Sequence, residues 1–275
     1  AARYRVLEDP MPRGRLLVAM LCLLVPGRGA LCADAHPAFA KVALQTGKVR
    51  SGLPAVVTDV LAGEVPGIRA SLVSLGPGGR HAEGRSRTED KVYLVLGGRG
   101  AVVADGQPLP VEPQTIARLP VGTDTALAAD AGSTLDVLVL RHALGDEDRA
   151  DLAAHPENQA GPYVRKFSEC PTYGEAIKSA KTTSRTLLPK DIVPRMSIGT
   201  VETAGPDRVA PHAHPMLEQF FLGLDGNDIV VHADGGQTTL GANELVHIPL
   251  GSSHGAEVAE GKTLHYVWMD FFRDR

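Results

Sequence analysis

The sequence repeats itself once, and this repeat constrains the fold more than any other feature. Segments of the first half recur in the same order in the second half, at an offset of 128 or 129 residues. The clearest pairs are Val65–Ile68 with Val193–Met196, Ala104–Gly106 with Ala233–Gly235, and Leu135–Leu140 with Leu264–Met269. Because several matches at a nearly constant spacing are hard to obtain by chance, we interpret the chain as a tandem duplication of one domain.

Each copy has the pattern of short strands separated by turns. In the second copy, Glu218–Leu224, Ile229–Ala233 and Thr263–Phe272 are apolar stretches of strand length, and the segment Asp225–Asp228 has hairpin-turn composition. No helix-period segment interrupts them. The 30 Gly and 20 Pro in 275 residues also favour a turn-rich β fold over a helical bundle. We therefore expect an all-β chain in which each copy is an antiparallel sandwich or barrel.

The segment between the copies has the composition of a linker. Asp146–Leu152 and Tyr173–Ala180 have the composition of short helices, and Pro156, Pro162 and Pro171 interrupt the stretch. The predicted organisation is a leader at 1–35, an N-terminal domain at 36–145, a linker with short helices at 146–190 and a C-terminal domain at 191–275.

Three histidines and one carboxylate in the second copy form a candidate metal site. His212, His214 and Glu218 have the same parity along an extended segment, which predicts that their side chains point to one face. His254 follows a turn 40 residues after His214 and would join them from another strand. Such a set suits one divalent transition-metal ion, such as Mn, Fe, Ni, Zn or Cu. Four protein ligands would leave positions open for substrate on an ion that prefers six.

Other side chains of the second copy are predicted to lie near this site. Histidines within strands are more often hydrogen-bonded structural residues than catalytic bases. Among them His247 is the candidate for a catalytic acid or base, or for a group that supports the metal ligands, because its strand leads towards His254. Phe220 and Leu222 share the parity of Glu218, so they are expected to line the same cavity.

The two motifs resemble those of the cupin superfamily, and the duplication resembles a bicupin. The first is His-X-His-X3-Glu at 212–218, and the second is Pro-X-Gly-X2-His at 249–254. The family's pattern has Gly where this chain has Pro206 and Asp225, and Asn where it has Val258, but no ligand position is affected. The resemblance implies two tandem cupin-type β-barrels, or jelly rolls, with the metal held by His212, His214, Glu218 and His254 in the second.

The first copy lacks this ligand set. At the repeat offset the four positions correspond to Gly84, Ser86, Asp90 and Thr125, so only one carboxylate remains and no equivalent metal site is expected. His81 and Glu83 lie nearby but out of register, and they leave an eccentric site as an alternative.

Two functional classes follow from this reading. The first is a metal-dependent enzyme, of oxygenase, decarboxylase, isomerase or lyase type, acting on a small polar organic acid or a sugar-like substrate. The second is a non-catalytic ligand-binding or structural cupin. The net charge of −4 without a strong basic stripe gives no case for a nucleic-acid partner. Assembly into a homo-oligomer is left open.

The first residues have the layout of a secretory signal peptide. Met11–Arg15 is basic, Leu16–Val25 is an apolar run of ten residues, and Ala33–Ala35 fits a cleavage site. The run is too short to span a bilayer comfortably. We therefore expect export to the periplasm or the cell exterior, with no membrane attachment after cleavage.

Export predicts the start of the native protein. Material isolated from its native compartment should begin near residues 33–36, because cleavage follows the small residues after the apolar run. Sequencing of the N-terminus tests this, and native protein that retains Met11 would contradict it.

Overall fold

The computed structural model describes residues 39–49 and 55–273. The predicted leader and its cleavage site lie outside these residues. In the described part, no helix is both long enough and apolar enough to cross a membrane.

Nearly all regular structure is β, as the sequence predicted. The first half contains the strands β1 (Lys41–Ala43), β2 (Ala55–Val60), β3 (Ile68–Leu75), β4 (Arg80–Arg85), β5 (Glu89–Gly98), β6 (Gly100–Ala104), β7 (Gln107–Val111), β8 (Thr115–Arg118), β9 (Asp124–Ala129) and β10 (Leu135–Ala143). The second half contains β13 (Thr183–Leu188), β14 (Met196–Ala204), β15 (Asp207–Ala213), β16 (Leu217–Gly223), β17 (Asp228–Ala233), β18 (Gly236–Gly241), β19 (Glu244–Ile248), β20 (Ser253–Val258) and β21 (Thr263–Phe272). Strands β2 to β10 correspond in order to β13 to β21.

The middle of the chain is more strand-rich than predicted. It contains helix α1 (Asp146–Ala154), 3-10 turns at Pro156–Gln159 and Phe167–Glu169, and the strands β11 (Tyr163–Lys166) and β12 (Thr172–Tyr173). The predicted helix over 146–152 is present. The helix predicted over 173–180 is wrong, because this segment pairs with neighbouring strands at Tyr173 and Lys178 instead of forming its own helical hydrogen bonds.

Two sheets build each half. Within the described residues, the first half has a six-stranded sheet, ordered β11-β8-β5-β10-β3-β2, and a four-stranded sheet, ordered β4-β9-β6-β7. The second half has a seven-stranded sheet, ordered β1-β19-β16-β21-β14-β13-β12, and a four-stranded sheet, ordered β15-β20-β17-β18. All pairings within these sheets are antiparallel, as in a double-stranded β-helix, so the predicted fold class of two tandem barrels is confirmed.

Two edge strands are exchanged between the halves. β1, from the start of the chain, pairs with β19 of the second barrel, and β11, which precedes the second barrel, pairs with β8 of the first. Strand β13 also lies within the segment predicted to be linker. The division at residues 145 and 190 stays a prediction, and strand pairing crosses it.

The large sheets are apolar on both faces. On β5, Val92 and Leu94 face a core shared with the second barrel, whereas Tyr93 and Val95 face the interior of the first barrel. Strand β16 repeats this arrangement, because Phe220 and Leu222 join the shared core and Phe221 faces the second interior. A sheet covered on both sides needs a nearly continuous apolar run, which explains the sequences of these strands.

A buried ion pair borders the shared core in the first barrel. The guanidinium of Arg118 donates to both carboxylate oxygens of Asp90, at 3.0 and 2.7 Å, and to the backbone carbonyl of Asn158 at 2.6 Å. Both charged side chains are completely buried. Removing one partner would leave the other charge buried without compensation.

We therefore expect Arg118→Met to lower the free energy of unfolding by about 3–5 kcal/mol, the usual cost of breaking a buried pair. The matched control is Arg69→Met, whose ion pair with Glu89 is largely exposed and should contribute at most about 1 kcal/mol. Denaturant unfolding of both variants checks the prediction, and equal losses would contradict it.

Candidate metal centre

Three histidines converge in the second barrel. His212 lies on β15 and is the direct cross-strand partner of His254 on β20. His214 follows the end of β15. The ring centroids are separated by 4.4 Å for His212 and His254, 4.9 Å for His212 and His214, and 5.7 Å for His214 and His254. One nitrogen from each ring lies within 4.8 Å of the others, so the three side chains can hold one metal ion together.

A local irregularity in β15 places His212 opposite His254. The register of the β15–β20 pair shifts between Val209 and His212, where Pro211 offers no N–H to the ladder. The partner strand approaches this bulge closely at Gly255, where a Cβ atom would lie 2.8 Å from the carbonyl oxygen of Val209. Glycine at 255 therefore permits the close approach that brings the two rings together.

Backbone carbonyls orient two of the rings. Nδ1 of His212 lies 2.9 Å from the carbonyl oxygen of Ala210, and Nδ1 of His254 lies 2.9 Å from that of Ser252. A carbonyl only accepts hydrogen bonds, so each Nδ1 carries the proton and each Nε2 keeps its lone pair. This is the usual arrangement around a metal-binding imidazole. Nε2 of His254 is buried and has no hydrogen-bond partner among the described residues, as expected of an atom placed to bind an ion.

Burial also keeps two of the rings neutral. It lowers the pKa of His254 to about 4, with further lowering by the neighbouring rings of His212 and His214. The pKa of His214 is lowered as well, first by burial and then by His212. Neutral imidazoles are the form that binds a metal, so the residues present fit a divalent transition-metal ion.

Glu218 does not lie with the histidines, and the parity argument that placed it there is wrong. The chain turns at Pro215 and Met216, and this interruption of the extended segment shifts the alternation by one residue. Glu218 therefore lies on the opposite face of β16, where its carboxylate contacts Nε2 of His247 at 2.8 Å and the guanidinium of Arg273 at 2.9 Å.

The predicted places of three further residues change for the same reason. His247 contacts Glu218 and Glu64, at 2.8 and 3.1 Å, so it lies away from the histidine cluster. Phe220 and Leu222 belong to the core shared by the two barrels and do not line the site. Glu218 and His247 occupy the positions that Asp90 and Arg118 hold in the first barrel, at the repeat offset of 128 and 129 residues.

Gln219 takes the place expected for Glu218. It lies in the small cavity with the three histidines, and its Nε2 donates to Oδ1 of Asp270 at 2.7 Å. Its Oε1 is buried and has no partner in the described part of the chain. Sequence reasoning missed Gln219 and Asp270. The signal that could have found Gln219 is Pro215, which commonly interrupts a strand and so invalidates a parity count across it.

The cavity beside the histidines is small, about 90 Å³. Its floor is formed by alternate residues of β21, namely Tyr266, Trp268 and Asp270. Residues of the segment from Tyr173 to Lys178 also line the cavity, and the backbone N–H of Ala210 on β15 donates a hydrogen bond to the carbonyl oxygen of Ile177 at 2.8 Å. Two larger surface grooves, of about 770 and 630 Å³, do not include the histidines.

The corresponding place in the first barrel is filled by an ion cluster. Gly84 and Thr125 are direct cross-strand partners there, as His212 and His254 are in the second barrel. Glu83 accepts two hydrogen bonds from Arg141, at 3.1 and 2.6 Å, and lies 3.2 Å from His81. Lys91 lies 3.8 Å from the same carboxylate. Glu83 is therefore surrounded by cationic groups of the protein itself.

Comparison with known proteins agrees with this architecture. The family model "Cupin domain" matches residues 200–270. No curated protein matches the sequence of the chain. The structure is similar to a glyoxylate-induced protein from Pseudomonas aeruginosa, with a TM-score of 0.68 and 14% identity over 81% of this chain and 82% of that one.

Two other solved structures cover comparable shares. Salicylate 1,2-dioxygenase from Pseudaminobacter salicylatoxidans has a TM-score of 0.60 and 12% identity, over 79% of this chain and 76% of that one. Vicilin from Corylus avellana has a TM-score of 0.60 and 11% identity, over 85% of this chain and 83% of that one. At such low identity these likenesses concern the fold. The second half of the chain therefore matches a cupin domain over the strands that carry the histidines, and the strand order of the second half recurs in the first.

Proposed function

We propose that this protein is a metal-dependent enzyme whose second barrel holds one divalent transition-metal ion on His212, His214 and His254. The observation that carries the proposal is the convergence of three imidazoles, with Nε2 of His254 buried and unpartnered among the described residues. An ion bound there would act as a Lewis acid towards a carbonyl or carboxylate of the substrate.

The shape of the site suggests the size of the substrate. The cavity of about 90 Å³ is well below the roughly 300–1,000 Å³ of typical ligand pockets, which favours a compact substrate. A compact organic acid fits this space, and a larger, sugar-like substrate requires the segment from Tyr173 to Lys178 to move. Tyr266 and Trp268 contribute an aromatic wall that excludes water from part of the cavity.

The reaction class stays open among oxygenase, decarboxylase, isomerase and lyase chemistry. The alternative is a non-catalytic ligand-binding or structural cupin, and the likeness of the fold to a vicilin keeps that class in view. Export and homo-oligomer formation remain part of the proposal as predictions from the sequence.

Metal analysis of the purified protein is the first test. We expect about one equivalent of a transition metal per wild-type chain and a marked loss in His254→Ala, because one of three imidazole ligands is removed. His265→Ala is the matched control, since His265 also lies in the second barrel but outside the histidine cluster. Equal metal content in His254→Ala and wild type would contradict the site.

Turnover assays then separate the two functional classes. Metal-loaded wild-type protein should convert a member of a panel of small organic acids, tested with and without oxygen, and metal-free protein should not. Tight binding of a panel member without conversion would favour the ligand-binding class. Activity that persists in metal-free His254→Ala would overturn the metalloenzyme proposal.

Glu218→Ala provides a separate prediction. Its carboxylate pairs with His247 and Arg273, and its removal should cost about 1–3 kcal/mol of unfolding free energy because Nε2 of the buried His247 ring loses its partner. The metal content should equal that of wild type because Glu218 does not reach the histidines. Unfolding curves and metal analysis of the same preparation measure both effects. Loss of the metal with unchanged stability would restore Glu218 as a ligand.

A further inference from the structure

If the three histidines hold a metal ion, as proposed above, they offer that ion no negatively charged ligand. The three ligands offered by the described structure are imidazoles, which bind a metal ion through a neutral nitrogen and bring no negative charge. A divalent ion in such a cavity would keep its full charge in a largely desolvated place, and a buried charge is costly unless it is compensated. A carboxylate of the protein in the cavity would reduce this cost.

Asp270 is the carboxylate best placed to do so. Its Cα is the cross-strand partner of Gln219, and its Oδ1 accepts the hydrogen bond from Nε2 of that residue at 2.7 Å. Both residues line the cavity with the histidines. Glu175 is the other carboxylate of the cavity lining, but it is ion-paired with Lys178 and is 42% exposed. Solvent and Lys178 thus already balance Glu175, whereas Asp270 has no such salt bridge in the described structure.

The first barrel carries two cations at the positions where the second barrel has an amide and a carboxylate. Lys91 and Arg141 correspond to Gln219 and Asp270, and the two residues are cross-strand partners there as well. Both lie beside the carboxylate of Glu83. The half without the histidines therefore supplies its own cations and surrounds one carboxylate with them. The half with the histidines has no cation at these positions and carries a carboxylate in their place.

We propose that Asp270 is a positioning residue of the metal site, which supplies the compensating negative charge and acts through the side-chain amide of Gln219. By accepting from Nε2, Asp270 fixes which end of the amide faces β21 and leaves Oε1 as the free end. That oxygen is buried and lacks a partner among the described residues. Burial raises the pKa of Asp270 to about 7, and a cation in the cavity would favour its charged form.

Titration with Co(II), followed by its visible absorption, tests this role. Asp270→Asn preserves the shape of the side chain and removes the charge, so Co(II) affinity should fall about 10- to 100-fold, the usual effect of removing a group that supports metal ligands. Glu175→Gln is the matched control. It removes a carboxylate from the same cavity, and its Co(II) affinity should fall far less than that of Asp270→Asn because the carboxylate of Glu175 is 42% exposed and screened by solvent.

A double variant moves the charge instead of deleting it. Gln219→Glu combined with Asp270→Asn returns the carboxylate to β16, and Co(II) affinity should recover towards wild type. Its absorption spectrum should differ from that of wild type, because a carboxylate would then replace the amide at position 219 in the cavity. Circular dichroism checks that each variant is folded. If Asp270→Asn alone does not fold, the Co(II) affinities of the double variant and of Glu175→Gln still test whether the cavity needs a buried carboxylate.

The outcomes separate this proposal from the proposed function. If wild-type protein does not bind Co(II), the metal site itself is wrong. If wild type binds and Asp270→Asn binds equally well, the site stands and the role of Asp270 is wrong. Equal weakening in Asp270→Asn and Glu175→Gln, or a double variant as weak as Asp270→Asn, would also overturn the specific role of Asp270.

Discussion

The structure depends on the apolar core between the two large sheets. Each of these sheets is covered on one face by its own barrel interior and on the other by the opposite barrel. Burial on both faces forces their strands to be apolar at consecutive positions. Each side chain on β16 therefore faces either the shared core or the interior of the second barrel. The shared core is bordered by charged pairs, whereas the second interior contains the histidines.

This constraint explains why Glu218 and Gln219 have different roles although they are adjacent. Glu218 faces the region between the barrels and forms an ion-paired group with His247, as Asp90 does with Arg118 in the first half. Gln219 faces the interior and shares a cavity with the histidines. The charged pairs beside the shared core have been kept in both copies, whereas the interior sites have diverged. The first interior holds a closed ion cluster, and the second holds three converging imidazoles.

The repeat and the motifs predicted most of the fold, because both can be recognised from short segments of sequence and their spacing. The offset of 128 or 129 residues aligned β2 to β10 with β13 to β21, and the spacing of His212, His214 and His254 identified side chains that do converge. Glu218 failed because parity holds only along an uninterrupted strand, and the turn at Pro215 resets it. Asp270 was missed because its relation to Gln219 depends on cross-strand register, which no local pattern of β21 encodes.

The exchange of β1 and β11 gives the duplicated chain a property that neither barrel has alone. Each barrel completes one edge of its large sheet with a strand contributed from the sequence before the other barrel. A cut near residue 145 would release two fragments that each carry the other's missing edge strand. Such fragments should recognise each other as a complementing pair, because the exchange makes the complete sheet of each barrel depend on a strand from the other half.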